Sequence, residues 1–91
     1  MRADTSNFNI AVRQLQLWLQ FLSRINPEIP NAEPDGVFGP VTERAVSRFQ
    51  LYCGLPPTGT VDYNTWVKLK AEYNSAWKNY NNMQNNIKND V

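Results

Sequence analysis

The chain has 91 residues, 42% hydrophobic and 19% charged, which is enough apolar content for one small core and too little length for a second. Nine basic and eight acidic side chains leave a formal charge of +1; this argues against nucleic acid, since a duplex binder needs a basic face to displace phosphate counterions. With no histidine and one cysteine, Ser-His and Cys-His catalysis, an internal disulfide and the commonest zinc ligand all drop out. Neither a metal nor another cofactor is expected.

No apolar run approaches the roughly 20 residues of a spanning helix, so no membrane partner is expected. The opening "MRADTSNFN" lacks the apolar stretch of a signal peptide. An export signal is therefore expected outside this chain, or the protein leaves the cell by another route.

After a lead-in over residues 1–7, apolar residues recur at helical spacing from Phe8 to Ile25: Ala11, Val12, Leu15, Trp18, Leu19 and Leu22 share one face. Ser6 or Asn7 is a plausible cap. Ile10, Leu17 and Phe21 form a second stripe that predicts a covering segment or partner. Pro27, Pro30 and Pro34 then make "NPEIPNAEPDG" a loop, with Ile29 as its anchor to the core.

The next stretch, "DGVFGPVT", returns as "TGTVDYNT": Gly36, Phe38, Gly39 and Thr42 match Gly59, Val61, Asp62 and Thr65, 23 positions on. A recurring pattern marks one structural unit used twice. In each copy a glycine supplies a turn, an apolar residue points inward as a staple, and Gly39 or Asp62 caps a helix. Pro40 occupies the first helical position, where its missing N–H costs nothing. The second helix is expected to bury Val41, Ala45, Val46, Phe49, Tyr52 and Cys53, the third Trp66, Leu69 and Tyr73.

Thr42 and Thr65 fall at the third position of their helices, where a hydroxyl can bond back toward the cap. Leu15-Gln16 and Phe49-Gln50 place an amide at the edge of the core face, able to fasten a neighbouring loop. Cys53, on the core face at the end of helix two, reads as a buried, inert thiol. Tyr73, Ala76, Trp77, Tyr80, Met83 and Ile87 continue one helical face, which extends helix three at least to Tyr80 before an Asn-rich end that frays.

The order V-x-x-LQ-x-x-L, then DG-x-FG-x-x-T-x-x-AV-x-x-FQ-x-x-x-GLP-x-TG-x-VD-x-x-TW-x-x-L, resembles the peptidoglycan-binding domain found beside bacterial cell-wall hydrolases. It is carried here by residues 12–69, from Val12, Leu15, Gln16 and Leu19 to Thr65, Trp66 and Leu69. The resemblance implies an all-α, compact three-helix bundle over residues 8–70, with residues 71–91 as a C-terminal helical extension. It implies a non-catalytic domain that carries a separate hydrolase to the wall, at the cell wall or outside the cell, or in a phage or spore lytic protein. The expected partners are peptidoglycan, through its glycan strand or its stem peptide, and a catalytic hydrolase domain.

Turn and cap roles suffice for Asp35, Gly36, Gly39, Thr42, Gln50, Asp62 and Thr65. The alternative is that the two turn-and-cap regions, brought near each other, line a groove whose helix N-termini receive a stem-peptide carboxylate. On that alternative the ligand-binding set is Asp35, Gly36, Phe38, Gly39, Thr42, Gln50, Asp62 and Thr65. Trp18 and Trp66 lie on apolar helix faces and read as core.

Two rival functions remain. One is a muramidase using two of Glu28, Glu33, Asp35 and Glu43. The other is a structural or protein-interaction piece of a phage, spore or wall assembly.

Overall fold

The computed structural model describes residues 9–89, with side chains through 81. Helix α1 spans Ile10–Ile25, α2 Pro40–Tyr52 and α3 Tyr63–Asn89. The described residues contain no strand, so the fold is the all-α three-helix bundle expected. α1 packs against both α2 and α3. Their shared core holds Leu15, Trp18, Leu19, Leu22, Ala45, Val46, Phe49 and Leu69.

The local chemistry explains each boundary. α1 begins two residues later than the periodicity suggests, because Asn9 is the cap: its side chain accepts the Val12 N–H at 3.1 Å. The Asn9 N–H in turn donates to the Gly36 carbonyl at 2.9 Å, which ties the start of α1 to the first turn. Ser6, Asn7 and Phe8 lie outside the described residues. The proline-rich connection is held by Ile29 and Ala32, both buried.

α2 starts at Pro40 behind an extended Gly39 with φ −111°, so this glycine serves as a cap and not as a left-handed turn. The helix ends in a Schellman motif. Gly54 has φ +77°, its N–H reaches the Leu51 carbonyl at 3.1 Å, and the Leu55 N–H reaches the Gln50 carbonyl at 2.8 Å. Pro56 then forbids continuation. For α3, the Asp62 carboxylate accepts the Thr65 N–H at 2.8 Å.

The buried stripe of α2 differs from the apolar one. Thr42, Ala45, Val46, Phe49 and Gln50 face inward, whereas Val41 and Tyr52 are 45% and 64% exposed. Val41 precedes the buried Thr42 by one position, about 100° of helix, and Tyr52 is the last residue of α2, two positions past the buried Gln50. α1 behaves alike, with Gln16 fully buried and Ile25 exposed. Phe38, expected inside, is 41% exposed, while its counterpart Val61 packs against the core.

α3 is 27 residues long, and its aromatic residues run along α1. Trp18 meets Trp66 with ring centroids 4.9 Å apart, and Phe21 meets Tyr73 at 5.3 Å, Trp77 at 5.9 Å and Tyr80 at 6.3 Å. The second stripe of α1 is thus covered at Phe21 by α3, while Ile10 stays 78% exposed. The side chains of Met83 and Ile87 lie outside the described set.

Candidate functional site

Two glutamines organise the repeated turns. The Gln16 Nε2 donates to the Thr42 hydroxyl at 2.9 Å, the Val37 carbonyl at 3.0 Å and the Asp35 carboxylate at 3.2 Å, and its Oε1 accepts the Gly36 N–H at 2.8 Å. The Gln50 Nε2 donates to the Thr65 hydroxyl at 3.0 Å, the Thr60 carbonyl at 3.0 Å and the Thr58 hydroxyl at 3.3 Å, and its Oε1 accepts the Gly59 N–H at 2.9 Å. Each partner in the second set lies 23 positions after its equivalent in the first. In each copy two amide hydrogens are shared among three acceptors, so the longest contact is the weakest.

The glycines make these clamps possible. Gly36 and Gly59 have φ of +77° and +78°, which turns their N–H groups inward onto the amide oxygens. Asp35 and Thr58 complete an Asx-turn and its hydroxyl analogue, accepting the N–H groups of Val37 and Thr60 at 3.0 and 3.1 Å. Gln16, Thr42, Gln50 and Thr65 are buried, and among the described residues no buried side-chain nitrogen or oxygen lacks a partner.

The clamped turns border one open groove of about 680 Å³. One wall is the first half of α1, with Asn9, Ala11, Val12 and Leu15. The first turn and the start of α2 contribute Phe38, Gly39, Pro40 and Glu43, and the second turn contributes Gly59, Thr60 and Val61. Trp66 of α3 closes the circuit. Phe38 and Val61 are equivalent positions of the repeat, as are Glu43 and Trp66, so the two copies converge on the same space.

The eight candidate residues do not form one site. Phe38 and Gly39 line the groove. Asp35, Gly39 and Thr42 border a hollow of about 300 Å³ on the outer side of the first turn. Gln50, Asp62 and Thr65 border one of about 170 Å³ on the outer side of the second. Gly36 is buried. Gln50, Thr42 and Thr65 spend their hydrogen bonds inside the protein, which leaves little for a ligand. Absent from the set were Glu43, Val61 and Trp66; the 23-residue offset that pairs Phe38 with Val61 also pairs Glu43 with Trp66 and was the signal available.

Two carboxyl groups are shifted. The Val37 N–H and then the Gln16 amide hold Asp35 below the usual carboxylate range. The Thr65 N–H and then its hydroxyl do the same for Asp62. A glycosidase acid needs the opposite shift, a carboxyl kept protonated near neutral pH. Asp35 therefore fits a turn and not a proton donor. Among the described residues no cluster of three metal-ligating side chains occurs.

Fold and groove define a small helical module made from one helix–turn unit used twice. Residues 9–69 match the family described as "Putative peptidoglycan binding domain". The chain belongs to this family. It is also similar to an uncharacterised protein from the bpoA1 3' region of Kitasatospora aureofaciens, with 42% identity over 67 residues, covering 72% of this chain and 51% of that protein. This chain thus spans about half the length of that relative. No solved structure gives a significant match.

Proposed function

We propose that the chain binds bacterial cell-wall peptidoglycan without cutting it, and that it tethers an associated cell-wall hydrolase to the polymer. The observation that carries this reading is the convergence of both glutamine-clamped turns on one groove, within residues that match a peptidoglycan-binding family. The groove is lined mostly by apolar residues, with Asn9, Glu43 and Thr60 as its polar ones, the mixture a small-ligand site requires. Asp35 and Asp62 are engaged as turn and cap, and their lowered pKa values suit neither of them to be the proton donor of hydrolysis. The working place of such a module is the cell wall.

Single-module affinity for so open a groove falls on the order of micromolar to millimolar, and tethering multiplies its effect. Co-sedimentation with purified, protein-free sacculi tests the binding. Binding is expected with no release of reducing sugar or free amine. Failure to pellet with sacculi of several wall types overturns the reading, and soluble fragments in the supernatant move the chain to the enzymes. Exposed, stacked Trp77 and Tyr80, with rings 5.7 Å apart, favour a second reading as an assembly piece. An obligate oligomer in sedimentation would support that alternative.

A further inference from the structure

We propose that the groove recognises a primary ammonium group at the end of a short aliphatic chain, and that Glu43 receives it. This deepens the peptidoglycan reading and rests on it. Glu43 is the single charged side chain among the groove's lining residues, which include no lysine or arginine. Among the described residues the ion pair present is Lys68–Glu72, so Glu43 makes no ion pair with a described residue.

The fold makes room for that carboxylate. A Cβ placed on Gly59 would stand 2.9 Å from Glu43 Cγ and 3.4 Å from its Oε2. The second turn therefore lies directly under the Glu43 side chain, which any larger residue at position 59 would displace. Around it stand Phe38, Val61 and the half-buried Trp66. Methylene groups favour such apolar walls, while an ammonium favours a carboxylate and an indole face. A carboxylate-terminated ligand would meet the like charge of Glu43, and Pro40 at the start of α2 offers it no N–H.

In peptidoglycan a primary ammonium has two sources: the side-chain amine of a diamino acid in an uncrosslinked stem peptide, carried on an aliphatic chain, and the amine of a de-N-acetylated glucosamine, carried on the sugar ring. The stem amine sits on a flexible aliphatic chain and suits the groove's apolar approach.

The test is titration of the intact chain, by chemical-shift perturbation, with four probes. These are a muramyl tripeptide ending in a free diamino acid, the same compound acetylated on its side-chain amine, a glucosamine tetramer and an N-acetylglucosamine tetramer. The free-amine tripeptide should bind at least tenfold more tightly than its acetylated form and shift Glu43, Gly59 and the Trp66 indole. Glu43→Gln should abolish that preference by weakening the free-amine tripeptide at least tenfold, in a protein that still unfolds cooperatively. Discrimination confined to the tetramer pair overturns the aliphatic-chain ligand and assigns the ammonium site to the glycan. Sacculus binding with no amine preference in either pair, or a preference that survives in Glu43→Gln, overturns the inference and leaves peptidoglycan binding standing. Loss of sacculus binding by the parent chain removes both.

Discussion

Glu43 and Trp66 occupy the same position in the two copies of the repeat, 23 residues apart, and both line one groove. Each follows the buried threonine of its copy, Thr42 or Thr65, which receives a glutamine amide. The unit thus builds the same scaffold twice and presents two different functional groups from it. A carboxylate comes from one copy and an indole from the other.

Replacing either clamp should be costly. Gln50→Ala leaves the Gly59 N–H and the Thr65 hydroxyl without their partner in a buried setting, and Gln16→Ala does the same to Gly36 and Thr42. Each should lose about 3 kcal/mol, the sum of one or two unsatisfied groups. Gln50→Glu should lose at least as much although it keeps the shape, because an oxygen would then face the Thr60 carbonyl. Urea unfolding measures all three. A near-neutral Gln50→Glu would show that the amide nitrogen is not the donor.

Trp66 is half-buried, between Trp18 and the groove. Trp66→Ala should destabilise by about 2–3 kcal/mol, below the ~3–5 kcal/mol of emptying a fully buried aromatic. Trp66→Leu should recover most of the stability but not the sacculus binding. A variant that regains both would place Trp66 in the core alone.

The sequence made the fold legible because its local signals agree: Pro40 starts a helix, Asp62 caps another, and Gly36 and Gly59 mark turns. The phase of the helix faces was harder to read. Apolar spacing put Val41 and Tyr52 inside because it had no way to credit Gln50 and Thr42 with burial. Their burial becomes favourable only once loops 19 or more residues from Gln16, and 8 or more from Gln50, supply hydrogen bonds. A groove between the two turns is legible in the repeat, but two of the side chains that line it are not, for a related reason. Trp66 reads as core because its spacing matches Leu69, and Glu43 enters only as one carboxylate of the muramidase alternative.

Asp35 and Asp62 give stability a definite pH dependence. Their folded pKa values lie below the ordinary 3.8, so the unfolded chain takes up protons first as acid is added. Their contribution is therefore present above about pH 4, near the unfolded value, and is lost as pH falls through the lower folded values. Melting temperatures of parent and Asp62→Asn should differ at neutral pH and converge in strong acid. A gap that stays constant down to strong acid would show that the carboxylate charge plays no part in the cap.

Cys53 is half-buried at the C-cap of α2, more open than the inert core thiol the sequence suggests. Burial, followed by the charge of Glu72, raises its pKa above the ordinary value. Less of it is thiolate at neutral pH, and the thiolate is the reactive form. A maleimide or iodoacetamide should label the native protein more slowly than a free cysteine and accelerate as pH rises past the usual thiol range. Labelling at the free-thiol rate at neutral pH would contradict the raised pKa.

The glycines should rank by two separable costs. Gly39 has extended backbone and open space where a Cβ would go, so Gly39→Ala loses only the modest capping preference of glycine, a few tenths to ~1 kcal/mol. Gly54 has φ +77° but likewise open space, so Gly54→Ala adds left-handed strain of about 1–2 kcal/mol. Gly59→Ala carries the same strain at φ +78° and must also displace Glu43, whose Cγ would lie 2.9 Å from the new methyl. It should be the least stable of the three in urea unfolding. The two parts separate in a double-mutant cycle. In a Glu43→Ala background the contact with Cγ is gone, so Gly59→Ala should cost only what Gly54→Ala does. If its cost is the same in both backgrounds, the second turn does not lie against Glu43 as described.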